Sequence, residues 1–142
     1  MNNIKKNATL DNLEYFLDFL CDFASRANIK NKFLLDLTVV IEELVINIIS
    51  YGYPYKKDIR QIELHLSTTP KEIIITITDN GIPFNILEVE EPNINPPLQE
   101  REIGGMGIHL IKTLTDKIEY KRINEKNILT LTKTLTKEST NC

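Results

Sequence analysis

The sequence predicts an α+β fold, a two-layer α/β sandwich in which helices cover one face of an antiparallel or mixed sheet. Three observations carry that expectation. Apolar residues recur at intervals of three and four over two long stretches before Gly52, which is the helical period. They alternate singly with their neighbours over residues 61 to 67, 72 to 78 and 128 to 135, which is the strand period. The resulting order is strand, helix, helix, strand, strand, irregular segment, helix, strand, strand, and it separates the helices from the sheet as two layers.

Each element has its own reason. Residues 4 to 8 read as a short strand. Thr9 and Asp11 then offer caps for a helix over residues 11 to 29, whose Leu13, Phe16, Leu17, Leu20, Phe23 and Ala24 share one face. A second helix is expected from about Asn31 to Tyr51, stopped by Gly52 and Pro54. Its stripe is Leu37, Ile41, Leu44 and Ile48, widened by Val45 and Ile49. Ile62, Leu64 and Leu66 mark the next strand and Ile73, Ile75 and Ile77 the one after, with Thr69-Pro70-Lys71 as the turn between them. Residues 80 to 103 fit neither period and contain Pro83, Pro92, Pro96 and Pro97. An irregular loop of that length in a compact domain is usually a functional lid or a disordered segment. Met106 to Leu114 reads as a helix, Lys117 to Arg122 as a strand and Ile128 to Leu135 as the last strand, followed by a polar tail.

A chain of 142 residues is about one ordinary domain, here residues 1–142, and is long enough to bury a core without disulfides or metals. Hydrophobic residues at 42% and charged residues at 26% argue against wholesale disorder. A formal charge of −3 gives no general basic footprint for nucleic acid. No apolar run approaches the ~20 residues of a membrane helix, and the opening MNNIKKNATLDN lacks the features of a secretory signal. We therefore expect a cytoplasmic protein, with Cys21 and Cys142 as reduced thiols.

Three short stretches carry chemistry. In IEELVINIISYGYP, residues 41 to 54, Glu43 and Asn47 lie one helical turn apart beside the apolar stripe, whereas Glu42 points away from Asn47. An amide oxygen suits magnesium, and a carboxylate one turn away suits a general base for attack on a metal-bound phosphate. The alternative is that the pair merely forms the polar edge of an amphipathic helix. Asp79-Asn80-Gly81 follows a strand and carries the Asn-Gly signal of a tight hairpin. The following segment is a poor strand, so Asp79 is equally a candidate acceptor for the exocyclic amine of adenine, with Gly81 allowing a ligand close. Guanine would present a carbonyl there, so the carboxylate would select ATP over GTP. Gly104, Gly105, Met106 and Gly107 open a helix, either as a flexible start or as backbone N–H groups that cradle phosphate. The run is not a Walker loop, because the Gly-Lys-Ser/Thr ending is absent.

In this order and spacing, EELVINIISYGYP, DNGIPFN and GGMGIHLI resemble the GHKL, or Bergerat-fold, ATP-binding superfamily, and within it the anti-sigma-factor serine/threonine kinases. The resemblance spans a core of about residues 8–135. It implies Mg-ATP held between helices and a flexible ATP lid, about residues 82–104. It further implies Glu43 as catalytic base, Asn47 as magnesium ligand, Asp79 as adenine acceptor, Gly81 as close-approach glycine, and Gly105 and Gly107 as phosphate-binding backbone. Arg101, before the glycine run, is a candidate phosphate contact from the lid, although an exposed arginine in E-R-E is more often a surface ion-pair partner. The implied function is phosphorylation of an anti-sigma-factor antagonist by a regulator that also binds a sigma factor, as a homodimer. The alternative is a nucleotide-gated binding module without phosphotransfer. Two positions depart from the family pattern. Glu125-Lys126-Asn127 stands where many members begin the last strand with Gly-Thr, whose hydroxyl serves the adenine side, and Asn85 stands where aspartate is common.

Overall fold

A computed structural model describes residues 2–55, 59–89 and 105–135. The chain forms β1 (Asn3–Asn7), α1 (Leu13–Arg26), α2 (Asn31–Tyr51), β2 (Gln61–Thr68), β3 (Glu72–Asp79), α3 (Gly105–Leu114), β4 (Lys117–Ile123) and β5 (Lys126–Thr134). Short 3-10 turns occupy Leu10–Asn12 and Ile86–Glu88. The five strands form one sheet in the order β1-β2-β3-β5-β4, and every pairing is antiparallel. The expected choice between an antiparallel and a mixed sheet resolves to antiparallel.

Strand alternation decides which face is covered. Ile62, Leu64 and Leu66 of β2, Ile73, Ile75 and Ile77 of β3, and Leu129 and Leu131 of β5 are buried and share one face through the register Leu64↔Ile77↔Leu129. Phe16, Leu20 and Phe23 of α1, Leu37, Val40, Ile41, Leu44 and Val45 of α2, and Ile108 and Ile111 of α3 complete the same core. The helices thus form the second layer, as the segregation of periods predicts. The outer strands β1 and β4 carry Lys5 and Lys6 on one margin and Lys117, Lys121 and Arg122 on the other.

Two local details differ from the sequence reading. Thr9 makes no side-chain cap, and α1 starts only at Leu13, without a side-chain cap from Asn12. Asn12 instead donates its amide to the Asn7 carbonyl at 3.0 Å, tying the entry to α1 back to β1. The last strand begins at Lys126 rather than Ile128, because the β4–β5 turn is tight. Its central residues Asn124 and Glu125 both adopt left-handed φ, 51° and 63°. The turn of the β2–β3 hairpin falls where expected, with Thr69 Oγ1 accepting from the N–H groups of Lys71 and Glu72 at 3.2 Å each.

An ion pair crosses the sandwich. Lys133 of β5 meets Asp36 of α2 at 3.2 Å and donates to the Leu114 carbonyl at 2.8 Å, so one ammonium group ties β5, α2 and the end of α3. Burial pushes the Asp36 carboxyl up, but hydrogen bonds from Lys32 and Lys133 and their charges outweigh it and hold the group below its ordinary value.

Candidate functional site

The site grows from the buried edge of α2. Its apolar face fixes the helix against the sheet, and that fixes Asn47, which is only 5% exposed. Among the described residues, the Asn47 Nδ2 atom has no hydrogen-bond partner. A buried amide left in this state is uncommon and marks a place where another group completes the bonding. One turn earlier on the same helix, Glu43 is half-buried. Burial raises its carboxyl above the ordinary value, and the neighbouring Glu42 charge pushes in the same direction. A carboxylate with raised proton affinity is a better proton acceptor.

Helix α3 closes this corner. A Cβ added at Gly107 would collide with Oε1 of Glu43 and would lie 3.8 Å from Nδ2 of Asn47. The glycine therefore brings the first turn of α3, with its unpaired N–H groups, against the acid and the amide. The Glu43–Asn47 pair and Gly107, 60 residues apart in sequence, share one corner of the fold. The backbone of Gly105 and Met106 belongs to this same turn of α3, whereas Arg101 and Gly104 lie outside the described residues.

The second corner lies at the end of β3. Asp79 is buried, and its Oδ1 accepts from the Gly81 N–H at 2.8 Å and from Asn127 Nδ2 at 2.9 Å. Burial raises its carboxyl; the Asn127 hydrogen bond, the Gly81 N–H and the Arg122 charge pull against burial without cancelling it. A cavity of about 30 Å³ separates Asp79 from Asn47 and is otherwise walled mainly by apolar groups such as Ile48, Ile77, Phe84 and Leu129. That volume admits about one water. A purine would have to displace part of this wall, and Phe84, stacked on Tyr51 at a centroid distance of 5.7 Å, forms its lid-side part.

Gly81 has a close approach of its own. A Cβ there would stand 2.5 Å from the Gly52 oxygen and 2.9 Å from the Gly52 Cα, so the neighbour it admits is the end of α2. The Ile82 N–H donates to that same Gly52 oxygen at 2.8 Å. Asn80 does not turn a hairpin. Its Oδ1 accepts from Tyr53 OH at 2.7 Å and from Gln61 N at 2.9 Å, and its Nδ2 donates to the Ile59 carbonyl at 2.8 Å. Burial first, then the Asp79 charge, push the Tyr53 phenol up to about 12, which keeps it a donor. Asn85 accepts from Leu87 N at 2.9 Å and caps the 3-10 turn, a task that aspartate performs equally well.

Sequence reasoning named Asn127 only within a stretch that departs from the family pattern and gave it no role. It faces Asp79 across the β3–β5 ladder and is bonded to it directly. The available signal was parity, because residue 127 falls on the same side of its strand as the buried Leu129 and Leu131.

The orphaned Asn47 NH₂ is a donor and calls for an acceptor such as a phosphate oxygen, while the oxygen of the same amide is of the hard type that suits magnesium. Among the described residues no three His, Cys, Asp or Glu side chains converge on a metal site. A cation here would rely on few protein ligands together with phosphate and water, which is the habit of magnesium rather than of structural zinc. A larger groove of about 740 Å³ runs between Lys30, Phe33, Pro70 and Leu135 at the opposite end of the sandwich and includes none of these motif residues. Among the described residues no helix is long and apolar enough to cross a membrane.

Comparisons with known proteins bear on the family and the fold. A family model described as a histidine kinase-like ATPase domain matches residues 7–133. The chain is 28% identical to the serine-protein kinase RsbW of Bacillus mycoides over 107 residues, covering 72% of this chain and 65% of that protein. It is 27% identical to RsbW of Listeria innocua over 125 residues, covering 77% and 78%. It is 31% identical to the anti-sigma F factor of Clostridium kluyveri over 94 residues, covering 66% and 63%. The match thus spans slightly less than two thirds of the Bacillus and Clostridium relatives. The histidine kinase domain of the Erythrobacter litoralis EL346 blue-light activated histidine kinase superposes with a TM-score of 0.51 at 11% identity, covering 87% of this chain and 61% of that one, which speaks to fold alone.

Proposed function

Because this chain belongs to the histidine kinase-like ATPase domain family, within the GHKL superfamily, we propose that it binds Mg-ATP between α2, β3 and the start of α3 and phosphorylates a serine or threonine of a protein partner. The partner class is an anti-sigma-factor antagonist, with a sigma factor as a second, competing partner, and the setting is the cytoplasm. Support comes from the relatives, which are the serine-protein kinase RsbW and the anti-sigma F factor. The observation that carries the reading is the buried Asn47 amide, whose NH₂ lacks a partner, next to Glu43 where α3 begins.

The roles follow from chemistry. Asp79 accepts from the adenine amine, Asn47 holds the cation, and the N–H groups from Gly104 to Gly107 face the phosphates, with Arg101 as a further phosphate contact from the lid over residues 82–104. Magnesium, when bound, neutralises phosphate charge. Glu43 takes the proton from the partner's hydroxyl as that oxygen forms its bond to the γ-phosphorus. The bond from phosphorus to the β-γ bridging oxygen breaks, and ADP leaves. Phosphoryl transfer asks a protein chiefly for positioning and charge stabilisation, which these groups supply.

The test incubates the protein with labelled Mg-ATP and antagonist-like proteins of the same genome, beside Glu43→Ala and Asn47→Ala. Asn47→Ala should lose magnesium-dependent ATP binding, whereas Glu43→Ala should keep binding and lose transfer. Undiminished label on the partner with Glu43→Ala would refute the assigned base. The small cavity at Asp79 favours a second reading, a module whose shape ATP resets without transfer, because base entry requires the wall near Phe84 to move. Tight ATP binding with no transfer across a broad partner set would select that reading.

A further inference from the structure

The side chain of Asn127 is fully engaged by the protein. Its Nδ2 donates to Asp79 Oδ1 at 2.9 Å and to the Ile82 carbonyl at 2.7 Å. Its Oδ1 accepts from the Phe84 N–H at 3.2 Å and from Tyr120 OH at 2.5 Å. A primary amide has two donor hydrogens and two acceptor lone pairs, so no capacity remains for a ligand. Asn127 is 5% exposed, and its four partners come from three separate segments: the end of β3, the stretch from Ile82 to Phe84, and β4.

We infer that Asn127 is a positioning residue that sets nucleobase selectivity without touching the base, by holding Asp79 so that Oδ2 alone meets the incoming amine. The inference rests on the reading that the cleft takes ATP. Both described hydrogen bonds to the carboxylate end on Oδ1, which assigns Oδ2 to a ligand donor. The amide also locks the carboxylate's rotation, since Gly81 N and Asn127 Nδ2 approach the same oxygen from two different segments. The bonds to the Ile82 carbonyl and the Phe84 N–H anchor the backbone beside that oxygen and leave the Phe84 side chain as the part of the wall that moves when a base enters. A fixed acceptor discriminates an amine from a carbonyl; a carboxylate free to rotate, or to hold a proton toward the ligand, discriminates less.

The readout is the ratio of ATP to ITP affinity, because ITP carries a carbonyl where ATP carries the amine. Titration calorimetry with magnesium present should show wild type preferring ATP, and Asn127→Ala should reduce that preference about tenfold while ITP affinity changes little. Asn127→Ser, which keeps one donor, should restore part of the ratio; a merely structural role would weaken both nucleotides equally. An unchanged ratio in a folded Asn127→Ala protein overturns the inference. Failure of wild type to bind ATP at all would instead remove the underlying reading. A measurement on unaltered protein covers the case of a variant that does not fold. NMR of the Asn127 side-chain amide should show protected protons with no contact to the adenine ring when ATP is added, and a direct contact between the two would overturn the positioning role.

Discussion

Replacing Gly81 by alanine adds one methyl group where there is no room for it. The new Cβ would lie 2.5 Å from the Gly52 oxygen, 2.9 Å from the Gly52 Cα and 3.0 Å from Asp79 Oδ1. Two of these obstacles are backbone, so relief requires the end of α2 and the turn after β3 to separate. Forcing a methyl into a packed site costs about 1–3 kcal/mol. Separation also weakens the 2.8 Å hydrogen bond from Ile82 N to the Gly52 oxygen, for about 1 kcal/mol more. The expected destabilisation is about 2–4 kcal/mol; with a urea dependence of roughly 2 kcal/mol per molar, the unfolding midpoint falls by about 1–2 M at unchanged slope. Urea unfolding followed by circular dichroism measures it. A midpoint within about 0.3 M of wild type would show that the two segments are not in contact as described.

The same methyl at Gly107 should behave differently. Its obstacle is the flexible end of Glu43, and alanine is favoured over glycine in a helix by about 0.5–1 kcal/mol, so stability should move by less than about 1 kcal/mol while Mg-ATP affinity, read by calorimetry, drops at least tenfold. Asn47→Leu should raise the stability of the ligand-free protein by up to about 2 kcal/mol, since it removes a buried unpaired donor, and abolish magnesium-dependent nucleotide binding; thermal melts with and without Mg-ATP read both effects. Asp36→Leu should cost about 3–5 kcal/mol by stranding the Lys133 charge, and adding Lys133→Met should recover most of it in a double-mutant cycle. Because the folded Asp36 carboxyl sits below its ordinary 3.8, its stabilising contribution is complete above that pH and is lost as pH falls through the folded value, so Asp36→Asn should flatten the acid limb of the stability profile. Glu125→Gly should stabilise the β4–β5 turn by up to about 1 kcal/mol, because residue 125 holds a φ of 63° that glycine adopts without strain; no gain in melting temperature would count against that turn.

The regular elements were readable because two periods dominate them. The stripe of Leu37, Ile41 and Leu44 on α2 and the alternation of Ile73, Ile75 and Ile77 on β3 are burial patterns written directly in residue type. Polar residues at buried positions were read unevenly. Asn47 stood out because Glu43 lies one turn away, whereas Asn127 follows a turn and looks like part of it. Its placement emerged only once the strand was seen to start at Lys126, which puts it in line with Leu129, Leu131 and Lys133. Asp36 and Lys133 carry no such signal for a related reason, since a charged residue is ordinarily solvated and the pairing across 97 residues is a property of the packed layers. Asn80-Gly81 carried the strongest local hairpin signal in the chain, yet tertiary bonds to Tyr53, Ile59 and Gln61 claimed the asparagine instead.

The cations on the two outer strands bear on how copies of this chain meet. A strand margin offers unpaired N–H and C=O groups to any second chain, and lysine side chains are a common guard against that annealing. With Lys5 and Lys6 along one margin and Lys117, Lys121 and Arg122 along the other, where Glu119 pairs with Lys117 at 2.9 Å, bringing like margins of two copies together sets a net positive charge against its own kind. Growth of one continuous ribbon through successive molecules by joining like margins is therefore disfavoured.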